Sequence, residues 1–329
     1  MENLTLSSLP KYLVNETAAW ELLERLRWPD GQVVCPHCGV VSESHYFIAS
    51  RSGERKTPKG TVTFRRLWRC RDCRQQFSVL VGTIFESSKV PVSKWLLAMW
   101  LMAAGKNGVS SKELQRHLEV TYQTAWHMNH RIREAMTREP LAALWTGTVV
   151  SDETWVGGEP KNRHAKDRVG GKSGKTDKTP VVALVHKETG QVRVKVVPNV
   201  NGKNLAEMLN ETCKPAETHL HTDAAPVYLP LAPEFASHGS VNHSAGEYVR
   251  DGISTNQAES FFAQFKRSLD GTHHNVSKEH LQRYASEFEF RWNTSKMTDS
   301  ERVQSLIDGA VGKRLPYRPL VDPTNGEDH

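Results

Sequence analysis

Three acidic side chains beyond residue 147, Asp152, Asp223 and Glu259, stand where a fold could gather them. Val149–Val150 read as strand, which puts Asp152 at a strand end. A second short strand, Glu217-Thr-His-Leu-His-Thr-Asp223, ends at Asp223. Asn256–Leu269 reads as an amphipathic helix with Phe261, Phe262 and Phe265 inward. On it Glu259 and Lys266 lie seven residues apart, two turns along one face. Carboxylates from two strand ends and a helix can hold two divalent cations. Such a pair activates a water or a 3′-hydroxyl and stabilises the leaving oxygen in phosphoryl transfer. Lys266 would contact a DNA phosphate beside them. Any one of these acids alone is an ordinary surface residue, so the argument rests on their order.

The first half carries a different chemistry. Four of the five cysteines form two Cys-x-x-Cys pairs, Cys35/Cys38 and Cys70/Cys73, and Cys213 stands alone. Each pair suits a tight turn with both thiolates facing one ion, and two such turns complete a tetrahedral sulfur site that fits zinc. Two redox pairs or four buried thiols are the competing accounts, and His37 inside the first pair is a competing ligand. Between the pairs, Ser44–Ser50 and Thr61–Trp68 have strand character, so a zinc ribbon is expected. Arg65, Arg66, Arg69 and Arg71, interleaved with Phe64, Trp68 and Phe77, read as a phosphate-binding stripe.

Helical elements connect these sites. Glu16–Arg27 has apolar residues at helical spacing and stops before Trp28-Pro29. Lys112–Leu118, a short turn and Tyr122–Met136 form a helix-turn-helix pattern. Its second helix places Gln123, Thr124, His127, Asn129, His130 and Arg131 on outer faces, where they could read a major groove. Val181–His186 and Gln191–Val197 read as a β-hairpin of the catalytic sheet. Residues 159–178 carry seven basic and three acidic side chains and read as a DNA-contacting loop.

Composition is compatible with this division. The chain of 329 residues is 38% hydrophobic and 24% charged, which excludes wholesale disorder. Its net charge of +6 is uneven, since Arg51–Arg74 alone holds nine basic and two acidic residues. No basic segment followed by an apolar run opens the chain, and Trp95–Gly105 is about half a bilayer span. A soluble cytoplasmic protein without a membrane partner is therefore expected.

The chain resembles bacterial insertion-sequence transposases of the DDE superfamily, in the group with an N-terminal zinc ribbon and an RNase H-like, ISXO-type catalytic domain. The motifs that carry the resemblance are Cys35-Pro-His-Cys38-Gly, Cys70-Arg-Asp-Cys73, Gly82-Thr-Ile-Phe85, Asp152-Glu-Thr-Trp-Val-Gly-Gly158, His221-Thr-Asp223, Asn256-Gln-Ala-Glu259-Ser-Phe-Phe, Lys266-Arg267 and Glu287-Phe-Glu-Phe-Arg291-Trp-Asn293. The resemblance implies a multidomain α+β and α/β chain. Its parts would be an N-terminal helical segment (1–30), a zinc ribbon (31–86), a helix-turn-helix domain (87–146), an RNase H-like mixed-sheet domain (147–300) and a C-terminal tail (301–329). It implies Asp152 and Asp223 as ligands of catalytic Mg²⁺ or Mn²⁺, with either Glu259 or Asn256 as the third, and structural Zn²⁺ on the four cysteines. It further implies cleavage and strand transfer of double-stranded DNA at element ends and in target DNA. Handling two ends implies a homo-oligomer. The alternative is a non-enzymatic zinc-ribbon regulator or an inactive transposase derivative.

Overall fold

The computed structural model describes residues 4–5, 7–41, 45–56, 62–137, 141, 143–157, 178–242, 246–247, 249–274 and 276–321. Most of the basic loop at 159–178 thus lies outside the described residues. The chain divides into two compact units, residues 138–295 and the remainder.

The first unit opens with a short helix α1 (Pro10–Leu13) and α2 (Glu16–Arg27). Asn15 caps α2 by accepting from the Ala18 backbone N–H, and its apolar stripe buries Ala19, Trp20, Leu22, Leu23 and Leu26. The ribbon follows as β1 (Tyr46–Phe47), β2 (Gly53–Lys56), β3 (Val62–Arg65), β4 (Trp68–Arg69) and β5 (Gln76–Phe77). These make a three-stranded sheet in the order β1-β4-β5 and a β2-β3 hairpin. Strands of two residues cannot hold themselves together, and aromatic contacts such as Phe47–Trp68 and Trp28–Phe77 fill the space around them. Three helices come next: α3 (Val92–Ala104), α4 (Ser111–Leu118) and α5 (Tyr122–Met136). The Glu16 carboxylate accepts from the Val92 and Ser93 N–H groups, so α2 caps the start of α3.

The second unit is built on one five-stranded sheet. Its strands are β6 (Trp145–Val156), β7 (Thr179–His186), β8 (Val192–Val196), β9 (Cys213–Asp223) and β10 (Ser237–Val241), with α6 (Gly202–Thr212) crossing between β8 and β9. The spatial order is β10-β9-β6-β7-β8. β6, β7 and β8 run antiparallel, whereas β9 and β10 run parallel to β6. An antiparallel meander extended by parallel strands on the far side of its first member is the RNase H-like arrangement. Residues alternate across the sheet. One face buries Val150, Ala183 and Val194 under α7 (Asn256–Ser268) and α8 (Lys278–Asn293). The other buries Val149, Val182 and Leu220 under α6 and the turns around Tyr228 and Phe235.

After α8 the chain returns to the first unit as α9 (Asp299–Ala310) and α10 (Arg318–Val321). Up to Val321 the C-terminal stretch is therefore not a tail, and residues 322–329 lie outside the described residues. Thr298 and Glu301 form a reciprocal capping box at the start of α9, and Val303, Leu306, Ile307 and Ala310 are buried. A Cβ at Gly309 would run into the Ala135 carbonyl, so the glycine permits the close crossing of α9 and α5.

Candidate active site

Asp152 is not at a strand end. It sits inside β6, paired with Ala183 of β7, because the strand continues to Val156. Asp223 is the last residue of β9, as expected. The β6–β9 ladder pairs Val149 with Leu220 and ends at Val150 with His221, so Asp152 and Asp223 each follow two residues after the last pair. Val150 belongs to the core under α7, so by alternation Asp152 faces α7 as well. That helix buries Ala258, Phe261, Phe262 and Phe265 against the sheet and leaves Glu259 and Lys266 exposed.

The electrostatics tie these residues together. Burial pushes the Asp152 carboxyl up to about 6. The Glu153 backbone N–H pulls against this, the charges of Asp223 and Glu259 raise it further, and Lys266 favours the ionised form. Glu259 accepts from the Thr255 hydroxyl at 3.2 Å. Asn256 is the first residue of α7 and exposed, and Thr255 holds the cap position. The carboxylate set is looser than a closed cage. Among the described residues, only the cysteine tetrad and a His45–Cys70–Asp72 group sharing Cys70 bring three or more ligand atoms within 4.8 Å of one another.

The cysteines form a tight cluster. Cys35 and Cys73 sulfurs are 3.6 Å apart and those of Cys38 and Cys70 3.8 Å. A tetrahedral zinc with bonds near 2.3 Å requires sulfurs about 3.8 Å apart. The two turns match: Cys35 N–H donates to the Val40 carbonyl and Cys70 N–H to that of Gln75. The residue after each second cysteine, Gly39 or Arg74, has positive φ. Although the Gln75 backbone N–H favours its thiolate, burial and the three neighbouring sulfurs push Cys73 up to about 12. A bound cation is what makes four thiolates compatible at this distance. His37 lies apart from the tetrad, 3.4 Å from the Gln76 carbonyl.

Residues 145–293, from the first residue of β6 to the last of α8, match the ISXO2-like transposase domain, and residues 14–76 match the transposase zinc-ribbon domain. The chain thus carries both of these transposase domains in order. It is 28% identical to a Halobacterium salinarum protein, the "Uncharacterized protein in transposable element ISH50", over 92% of this chain and 99% of that one. It is 29% identical to an "Uncharacterized transposase-like protein" of Haemophilus influenzae, over 35% of this chain and 93% of that one. Among solved structures it is similar to the HTLV-2 integrase catalytic core domain in complex with magnesium (dimeric form), at 13% identity and a TM-score of 0.27. That alignment covers 45% of this chain and 85% of the other.

The zinc-ribbon half of the chain engages some of its expected DNA contacts elsewhere. Arg66 pairs with Glu21 and Glu24 of α2 at 3.0 and 3.1 Å and lies over the Phe47 ring, so its charge is engaged inside the fold. Arg71 is exposed, whereas Arg65 and Arg69 are half-buried and donate to the carbonyls of Arg51 and Arg74. On α5, Asn129, His130 and Arg131 are buried rather than outward. The helix lies inside its unit, with α9 across it, and Arg131 donates to the Glu86 carbonyl. His127 Nε2 lies 3.0 Å from the Leu315 carbonyl, and Gln123 donates to the Tyr317 hydroxyl at 2.5 Å. Among the expected contacts on α5, only Gln123 is exposed, and Thr124 and His127 are half-buried. No helix among the described residues is long and apolar enough to cross a membrane.

The transposase domain also holds a carboxylate the sequence reading passed over. Glu153 points to the sheet face opposite Asp152, where it accepts from the Tyr228 hydroxyl at 2.8 Å. Burial pushes it up to about 7, against the pull of Tyr228, with the charges of Asp223 and then Asp152 adding to the rise. Its adjacency to Asp152 in the sequence was the available signal.

Proposed function

We propose that this chain is a metal-dependent DNA transposase that cleaves the ends of its own element and joins the exposed 3′-hydroxyls to target DNA. The observation that carries this reading is the convergence on one sheet face of Asp152, Asp223 and the first turn of α7. There the charges of Asp223 and Glu259 both bear on the half-buried Asp152 carboxyl. Acids that raise one another's affinity for protons in a desolvated place suit a divalent cation in the protons' stead. Asp152, Asp223 and Glu259 would hold Mg²⁺ or Mn²⁺. Bound there, the ion acidifies a water and stabilises charge on the leaving oxygen.

The chain's own residues do the rest. Asp152 and Asp223 would be the first two ligands of that ion, presented from neighbouring strands on one sheet face. Lys266 sits two turns along α7 from Glu259 and pairs with a neighbouring phosphate. Glu259 is favoured over Asn256 because its charge reaches Asp152 and a carboxylate neutralises the ion better. The arginines of the ribbon, Arg71 foremost, and the first turn of α5 supply contacts to double-stranded DNA. Zinc on Cys35, Cys38, Cys70 and Cys73 holds the ribbon in shape. Joining two ends in one event requires a homo-oligomer on the DNA.

The test uses purified protein, Mg²⁺ and DNA from both flanks of its reading frame. Wild type should cleave and join those flanks. Asp152→Ala, Asp223→Ala and Glu259→Ala should abolish joining while retaining end binding. Wild-type joining by the Asp152 or Asp223 variant would defeat the reading. Joining retained by the Glu259 variant and lost in Asn256→Ala would move the third role to Asn256.

A further inference from the structure

The hydrogen-bonded ladder between β6 and β9 ends at Val150–His221, two residues short of both aspartates. Beyond that point β9 pairs on its other side, Asp223 with Val241, and β6 pairs with β7. The gap between Asp152 and Asp223 is thus not set by the ladder joining their strands. One side chain spans it from behind. Asp223 Oδ1 accepts from the Ala225 N–H at 3.0 Å and opens the turn Pro226–Tyr228. Tyr228, at 0% exposure, ends that turn beneath β6. Its hydroxyl meets Glu153 Oε2 at 2.8 Å and Ser151 Oγ at 3.0 Å, the two residues that flank Asp152. A single O–H serves both: it donates to the Glu153 carboxylate and accepts from the Ser151 hydroxyl.

We propose that Tyr228 is a positioning residue of the carboxylate site: by gripping Ser151 and Glu153 it pins the turn after Asp223 to β6 and sets the spacing at which Asp152 and Asp223 take a cation. The inference rests on the proposed function for the identity of the site. Tyr228 lies in the core on the far sheet face, so it reaches the cation only through the aspartates. Partners that orient ligands in this way change metal affinity about tenfold or more when removed.

The experiment titrates Mn²⁺ calorimetrically into the full-length, zinc-loaded protein and records melting with and without Mn²⁺. Tyr228→Phe keeps the ring and loses both hydrogen bonds. Glu153→Leu breaks the same brace from the other end and stands in if the first variant does not fold. Asp152→Asn is the control. We expect both brace variants to bind Mn²⁺ about tenfold more weakly and to gain less melting temperature from it. Cleavage should recover at high Mn²⁺. A role in packing alone would lower melting equally with and without Mn²⁺ and leave affinity unchanged, and that result overturns the inference. If wild type and Asp152→Asn titrate alike, the carboxylate reading itself fails, and the brace falls with it.

Discussion

The Asn293 side chain clasps Val192: its Oδ1 accepts from the Val192 N–H at 2.7 Å and its Nδ2 donates to the Val192 carbonyl at 2.8 Å. Val192 opens β8, the strand at one edge of the sheet. Two residues on, the Val194 N–H donates to Glu289, and two further on the Val196 N–H donates to Gln282. The outward donors of an edge strand are thus met by one face of α8 instead of by another strand.

This relationship predicts a stability loss without a catalytic cause. Asn293→Ala strips Val192 of both partners and should cost about 1–3 kcal/mol. Asn293→Ala combined with Glu289→Ala should cost more and promote self-association through the bared edge. Urea denaturation and light scattering read the two effects. A double variant as stable and as monodisperse as wild type would show that the clasp is incidental.

The clasp also shows what the sequence could and could not reveal. Glu289 and Asn293 stood out as part of a motif, but their partners are about a hundred residues away, beyond any local pattern. Separations of 45 and 42 residues likewise hid the pairing of Arg66 with Glu21 and Glu24, which the arginine stripe left out of account. Short-range signals read well: the bounds of α2 and α5, the two cysteine turns and Asp223 at a strand end. α9 was not anticipated, its residues from 301 on being expected as a tail, although Thr298 and Glu301 have capping-box spacing before an apolar run. Asp152 was placed at a strand end because polar residues follow Val150. Its strand in fact continues to Val156, with Asp152 under α7 and Glu153 held by Tyr228.

The raised carboxyls predict how stability depends on pH. Unfolded, Asp152 and Glu153 would lose their protons near pH 4. Folded, they hold them to about 6 and about 7. Between these limits the folded chain binds more protons than the unfolded one, so stability falls as pH rises through that window. Each group contributes on the order of 1–3 kcal/mol to the fall. Asp152→Asn should therefore be more stable than wild type at pH 8 without added Mg²⁺. Added Mg²⁺ should stabilise wild type at pH 8 and do little at pH 5, where protons compete for the same oxygens. Urea midpoints at both pH values measure this. An Asn variant no more stable than wild type at pH 8 would mean that burial at Asp152 carries no such penalty.

The cysteines predict a graded chemistry of thiols. Cys38 is exposed and Cys73 partly so, yet zinc would shield both from alkylation by occupying their sulfurs. Cys213 is buried at the start of β9, and burial pushes its thiol up to about 12, so it is shielded by the fold and not by metal. A fast alkylating reagent should label none of the five in zinc-loaded protein. A chelator should release the four ribbon thiols together, because the two-residue strands around them do not hold their shape without the ion. Cys213 should react only when urea unfolds the sheet. Labelling counted by mass spectrometry decides it. If chelation leaves the four as slow as before, the tetrad is a packed thiol cluster. If it frees Cys213 with the others, the two units do not unfold separately.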